Sequence, residues 1–197
     1  MPAETPPAGN PARKRGRPTE AERVQRRDDI LDAAVRLLLA DGFGGVTFDD
    51  IGAEARVTKR TIYAHFATRT EVFLAAVERL RERTLALPGD HVTLLDLATA
   101  IVTGLHSDEA VGLHRLMISS ARDFPELSAA FYADGPERYI AALRERLDPA
   151  SASAAEALFT LLLGEPHRRR LLGLAPAPTD AQASAHAATT LRLLGLD

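Results

Sequence analysis

Arg56, Lys59, Arg60 and Arg69 fall within a segment, Arg56 to Thr70, that holds no acidic residue and has Thr58, Thr61, Tyr63 and His65 set among the cations. Guanidinium, ammonium, hydroxyl and imidazole groups packed this closely suit a polyanion. Duplex DNA presents a dense line of phosphate charge, and neutralising it supplies most non-specific affinity. A short helix with basic and small polar groups at its N-terminal end fits the major groove and reaches base edges there. Ile62 and Phe66 are four apart, on one face of such a helix, so Lys59, Arg60 and Tyr63 point away from the core and toward DNA. The competing reading is a core residue for Tyr63 and a helix cap for His65.

A second basic segment lies upstream. Arg13 to Arg27 carries seven basic residues against Glu20 and Glu22. Its start, Arg13-Lys14-Arg15-Gly16-Arg17-Pro18, resembles the core of an AT-hook. Arg13, Arg15 and Arg17 on an extended chain suit a narrow minor groove, whose deepened negative potential attracts arginine. The alternative is a basic arm that touches phosphates only.

The elements that must position these groups read as all-α. Residues 1–18 are Pro/Ala/Gly-rich and then basic, and are expected to form a disordered arm. Thr19 with Glu22 forms a capping-box pattern that opens a helix to about Ala40, closed by Asp41-Gly42. Phe43 and Val46 plug a small core. Thr47 caps a second helix, Phe48 to about Ala55, and Thr58 caps a third, Lys59 to about Phe66. Thr68 caps a fourth, Arg69 to Leu85, with Glu71 as a second capping-box partner. The helix-turn-helix unit is thus expected over 19–68 and a larger helical domain over 69–197, with a break at Leu87-Pro88-Gly89. Beyond it, Val92–His106, Asp108–Ala121, Pro125–Leu147, Ser153–Leu172 and Thr179–Leu194 are helical patterns, with Pro136 and Gly164-Pro166 set to kink or split two of them.

Composition narrows the function classes. The chain has 197 residues, 46% hydrophobic, with no Cys and no Trp, so a disulfide framework and thiolate metal sites are excluded. No stretch approaches a membrane span, and the N-terminus has no apolar signal region, so a cytoplasmic protein is expected. The net charge of −3 hides an asymmetry: residues 1–86 hold 15 Lys/Arg against 13 Asp/Glu, the remainder 9 against 14. His91, His106 and His114 lack ligand spacing, so no metal or other cofactor is expected. There is no Gly-x-Ser-x-Gly elbow, P-loop or dinucleotide fingerprint, which argues against an enzyme.

The larger order of motifs resembles the DNA-binding domain of TetR-type transcriptional regulators. The likeness lies in Ile30-Leu31-Asp32-Ala33-Ala34, Gly42-Phe43, Val46-Thr47-Phe48-Asp49-Asp50-Ile51, Val57-Thr58-Lys59 and Thr61-Ile62-Tyr63-Ala64-His65-Phe66. It implies an all-α homodimer with an N-terminal helix-turn-helix domain and a C-terminal ligand-binding and dimerisation domain. By that resemblance Lys59 and Arg60 probe bases, while Thr47, Thr58, Thr61, Tyr63, His65 and Arg69 hold phosphates. Many relatives carry Gly where this chain has Arg56. A non-Gly residue in the left-handed region costs roughly 1–2 kcal/mol, and Arg56 offers a phosphate contact in return. Phe124-Pro125-Glu126-Leu127, Phe131-Tyr132 and Leu163 to Arg169 are similar to the C-terminal domain of an AefR-like subset.

Three readings follow. The first is a ligand-responsive regulator, a repressor released from its operator by a small molecule. The second is a dimeric DNA-binding protein with no effector. The third is a small-molecule-binding or catalytic helical domain with an incidental basic segment, which the composition of the third helix opposes. Ser119, Ser120 and Arg122 fall near Met117, Phe124, Tyr132 and Phe159, so Met117, Ser120, Phe124, Tyr132 and Phe159 are pocket candidates, with plain core as the alternative. Leu158, Leu161, Leu162, Leu191 and Leu194 are candidates for a four-helix dimer interface, with an intramolecular core as the alternative. The run His167 to Arg170 is expected on a solvated helix face.

Overall fold

A computed structural model describes residues 19–87 and 91–196. Arg13, Arg15, Arg17 and the Pro88-Gly89 break lie outside them. Among the described residues the chain is helical without strands: α1 (Glu20–Gly45), α2 (Phe48–Glu54), α3 (Lys59–Tyr63), α4 (Arg69–Leu85), α5 (Leu94–Leu105), α6 (Asp108–Ser120), α7 (Pro125–Asp134), α8 (Pro136–Arg146), a 3-10 turn at Ala152–Ala154, α9 (Ala155–Leu171) and α10 (Asp180–Leu194).

Threonines set the starts. The hydroxyls of Thr19, Thr47, Thr58 and Thr68 each accept the N–H three residues on, satisfying donors that a helix cannot pair internally. Thr19 with Glu22 and Thr47 with Asp50 form complete capping boxes. The expected box at Thr68 forms only by half, because the Glu71 carboxylate accepts from the Ala67 N–H at 2.7 Å. Glycines and prolines set the breaks. Gly42 takes φ 77°, so α1 turns there and drops Phe43 into the core. Pro136 follows the α7–α8 joint at Gly135, splitting the long 125–147 pattern. Gly164 takes φ 49° and ψ −152°, and Pro166 two residues on completes the kink in α9. α3 is shorter than expected, ending at Tyr63, and a turn carries the chain on to the buried Phe66.

Two cores result, and the first spans both sides of residue 68. The first joins the helix-turn-helix residues Ile30, Leu38, Phe43, Ile51, Ile62 and Phe66 to Phe73 of α4, Leu113 and Met117 of α6 and Leu127 of α7. Phe43 meets Phe73 and Phe124 edge-on, at centroid distances of 6.1 and 4.7 Å. Arg79 of α4 adds a polar tie, reaching Asp32 of α1 at 2.7 Å and Glu109 of α6 at 3.8 Å. The second core is built from α5, α8, α9 and α10 around Ile101, Tyr139, Leu143, Leu158, Leu162 and Leu191.

This packing corrects part of the dimer-interface expectation. Leu158 and Leu162 are fully buried and Leu191 is 3% exposed, all inside the second core. The intramolecular alternative is the right one for these three. Leu194 packs partly against the same core, and Leu161 stays 39% exposed. The free face of α9 carries Ala157, Thr160 and Leu161, and that of α10 carries Ala181, Ala185 and Leu193. A one-position step along a helix turns a side chain by about 100°, which separates Leu161 from Leu162.

Candidate nucleic-acid interface and interior cavity

The turn that presents α3 is fixed by backbone hydrogen bonds. Arg56 has φ 54°, the one non-glycine in the left-handed region among the described residues. Its N–H donates to the Ala53 carbonyl at 3.3 Å, and the Val57 N–H donates to the Gly52 carbonyl at 2.9 Å. This is the Schellman pattern that closes a helix end. A Cβ at Gly52 would lie 3.0 Å from the Val57 carbonyl oxygen, so any larger residue there would press on the turn.

α3 itself is anchored by Ile62, fully buried, and by Phe66 just beyond it. Tyr63 is 55% exposed and sets its ring edge-on to Phe48 at 5.1 Å. It is therefore not a core residue, and its hydroxyl is carried on the outer face. Lys59 donates to the Asp49 carboxylate at 2.8 Å, which raises the lysine pKa. Arg60, Thr58, Thr61 and His65 share a groove with Arg23 and Arg26 of α1. His65 is held below the ordinary histidine pKa, first by burial and then by the charges of Arg23, Arg27 and Arg26. That repulsion registers a positive potential on this face. The α1 arginines were legible as part of a basic run, but their meeting with α3 is a tertiary fact.

Two expected phosphate contacts are engaged inside the fold. Arg69 Nη1 donates to the carbonyls of Phe43 at 3.0 Å and Val46 at 2.6 Å, with the guanidinium over the Phe43 ring. It pins the loop between α1 and α2. The Thr47 hydroxyl donates to Asp50 at 2.6 Å, and this bond holds the Asp50 carboxyl below its usual range. Thr58 and Thr61 pair their hydroxyls at 2.8 Å, at the exposed start of α3.

A cavity of ≈ 60 Å³ lies at the seam between the two cores. Val77, Leu80 and Leu113 line it from the first side; Tyr139, Phe159 and Leu163 line it from the second. Phe131, His114 and His167 add to the wall. Of the five sequence candidates only Phe159 lines it. Met117 and Ser120 are buried elsewhere, Phe124 packs in the first core, and Tyr132 is 50% exposed. The wall draws on α4 to α9, and no local sequence pattern marks such an assembly.

The run His167 to Arg170 is not the solvated face expected of it. Arg168 and Arg169 are exposed, but His167 and Arg170 are buried. Arg170 donates to the His106 carbonyl at 3.0 Å and pairs with Asp108 at 2.6 Å. His167 Nε2 and His114 Nδ1 share a hydrogen bond of 3.0 Å. Burial lowers the pKa of His106 and His167 to about 4 and also lowers that of His114, so all three are neutral near pH 7. The break in α9 explains a fourth histidine. Pro166 has no N–H to offer the Leu162 carbonyl four residues back. That oxygen accepts instead from Nε2 of His106 at 3.2 Å and of His186 at 3.0 Å. Both rings therefore carry their proton on Nε2. Among the described residues no group of three or more His, Cys, Asp or Glu could hold a metal ion, and no helix is long and apolar enough to cross a membrane.

Comparison with known proteins bears on both halves. Residues 30–76 match the tetR family of bacterial regulatory proteins. Residues 92–194 match the C-terminal domain of AefR-like transcriptional repressors. The HTH-type transcriptional regulator SrpR of Pseudomonas putida is 30% identical over 112 residues, covering 54% of this chain and 52% of SrpR. The HTH-type regulator TtgW of Pseudomonas putida is 28% identical over 133 residues, covering 65% of this chain and 98% of TtgW. A crystal structure of a TetR-family regulator from Mesorhizobium loti superposes with a TM-score of 0.67 at 22% identity, covering 89% of this chain and 97% of that one. With its threonine-capped helix-turn-helix and its AefR-like C-terminal helices, the chain belongs to the TetR family of DNA-binding transcriptional regulators.

Proposed function

We propose that this protein is a homodimeric, cytoplasmic repressor that leaves its operator when a small molecule enters the seam between its two cores. The observation that carries the reading is the place of the cavity. Its wall is shared between the core that holds the helix-turn-helix and the core formed by α5 and α8 to α10. A ligand that fits only a widened seam favours a different placing of α4. Phe73 and Arg79 tie α4 to α1, so the displacement reaches α3. The two α3 helices of a dimer must sit about 34–36 Å apart to enter successive major grooves. A ligand with higher affinity for the widened state draws the dimer off the operator.

In this reading Lys59 and Arg60 contact bases. Arg56, Thr58, Thr61, Tyr63 and His65 contact phosphates, joined by Arg23 and Arg26, and Arg13, Arg15 and Arg17 extend the contact upstream. Thr47 and Arg69 shape the loop that carries α2. The exposed Leu161 and Leu193, 39% and 74% accessible, support dimerisation through the outer faces of α9 and α10. The role is binding rather than catalysis. A dimeric DNA-binding protein without an effector remains the second reading, favoured by cavity size: ≈ 60 Å³ is well below the roughly 300–1,000 Å³ of drug-sized pockets.

Selection from a random duplex pool, followed by anisotropy against a chemical library, tests the proposal. A two-fold-symmetric motif should emerge, with affinity falling steeply as salt rises. Some compound should weaken binding to it. An unenriched pool would defeat the DNA reading, and a symmetric motif that no compound affects would favour the second reading.

A further inference from the structure

The chemistry of the cavity wall narrows what it can take. Val77, Leu80, Leu113, Phe131, Phe159 and Leu163 supply an apolar surface, and no Lys, Arg, Asp or Glu is among the described lining residues. A charged guest would lose its hydration and gain no opposite charge. Two lining side chains end in polar groups. His167 Nδ1 is buried with no hydrogen-bond partner among the described residues, and the Tyr139 hydroxyl is buried beside Thr84. Buried polar atoms of this kind are ordinarily satisfied by a water or a ligand.

The histidine pair sets which ligand group fits. His167 shares its Nε2 with His114 Nδ1. If Nε2–H donates, Nδ1 keeps a lone pair and accepts; if Nε2 accepts, Nδ1–H donates. A carboxylate only accepts and an ammonium only donates. A hydroxyl does both and meets either tautomer. Tyr139 lies stacked on Phe159, with rings 13° from parallel and 6.1 Å apart, and offers a flat aromatic wall.

Resting on the effector reading above, we propose that the seam binds an uncharged, mainly apolar molecule that carries a phenol-type hydroxyl, held by His167 and Tyr139. Such a molecule is larger than the ≈ 60 Å³ cavity, so its entry must part the two cores.

Thymol, its deoxy analogue p-cymene and the related carboxylate cuminate, titrated calorimetrically into the full-length protein, form the test. A plain apolar cavity would prefer p-cymene, because the hydroxyl costs desolvation. The proposal expects the reverse, with thymol bound about 10- to 100-fold tighter than p-cymene and cuminate undetected. In Tyr139→Phe with His167→Phe the thymol preference should vanish while p-cymene affinity stays within a few fold. The single Tyr139→Phe variant should lower the ratio if the double variant melts early. A p-cymene preference, equal binding, tighter binding of cuminate or no binding of thymol overturns the inference, as does an unchanged ratio in the folded variants. Operator anisotropy on the same samples separates the two readings. Thymol binding that leaves operator affinity unchanged would sink the effector reading alone. Operator release by cuminate or p-cymene, but not by thymol, would sink the ligand class alone.

Discussion

His106 and His167 are buried as neutral rings, and this makes the fold sensitive to mild acid. Each has a pKa near 4 in the folded state against an ordinary value of 6.5. The unfolded chain therefore takes up protons first as pH falls. The stability tied to these rings is fully present above about pH 6.5 and is withdrawn progressively down to about pH 4. At 1.36 kcal/mol per pH unit, one such histidine accounts for about 3 kcal/mol over the whole window. His106 also borders an open groove with Pro166 and His186, and solvent screening there reduces the figure to about 2 kcal/mol. Charging one ring opposes charging the other, so the pair together withdraws about 2–5 kcal/mol. Against a typical domain stability of about 5–15 kcal/mol, that is a large share. Carboxylates do not blur the window. Capping bonds hold Asp50, Asp96 and Glu22 below their ordinary values, so they titrate at lower pH. Urea denaturation at fixed protein concentration, stepped from about pH 7 to about pH 5, should show a steady loss of stability. His167→Phe should reduce the slope, and the lowered rings of His106, His114 and His65 should carry what remains. A wild-type stability that is flat across this range, or a slope unchanged in both His167→Phe and His106→Gln, would refute the account.

Other perturbations separate the remaining assignments. Arg56→Gly should raise stability by about 1 kcal/mol, since relief of left-handed strain outweighs the added freedom of the unfolded chain; a lower melting temperature would contradict this. Leu158→Glu should unfold the subunit, at a cost above about 4 kcal/mol, whereas Leu161→Glu with Leu193→Glu should leave it folded but monomeric in the ultracentrifuge. Tyr63→Ala should weaken operator and random duplex about equally, and Lys59→Ala should change the preferred bases in a selection; a destabilised Tyr63→Ala would return that side chain to the core.

What the sequence disclosed was what local interactions determine. A threonine followed three residues later by a carboxylate forms its cap within a single turn, so the starts of α1, α2 and α4 could be read directly, and at α3 the threonine alone marks the start. The left-handed Arg56 followed from the resemblance, because many relatives carry Gly at that position. The mutual packing of the C-terminal helices could not. α9 carries leucines on more than one face, and only tertiary structure decides that Leu158 and Leu162 turn inward while Leu161 turns out. The seam cavity takes its wall from six helices, so its residues share no spacing. His167 sits in a run of arginines that looks solvated, and no neighbour in sequence reveals that His114, 53 positions away, will meet its ring.

The shared carbonyl of Leu162 couples positions 106 and 186 through one acceptor at the break in α9. Pro166 leaves that oxygen without a helical donor, and His106 and His186 exist in their present tautomers because it is there to accept. A change at position 106 or 186 alone shifts the whole demand onto the other ring. A change of Pro166 alone leaves the break at Gly164 in place and the oxygen open to both rings. Positions 106 and 186 should therefore show epistasis, with coupling of about 0.5–3 kcal/mol in double-mutant cycles.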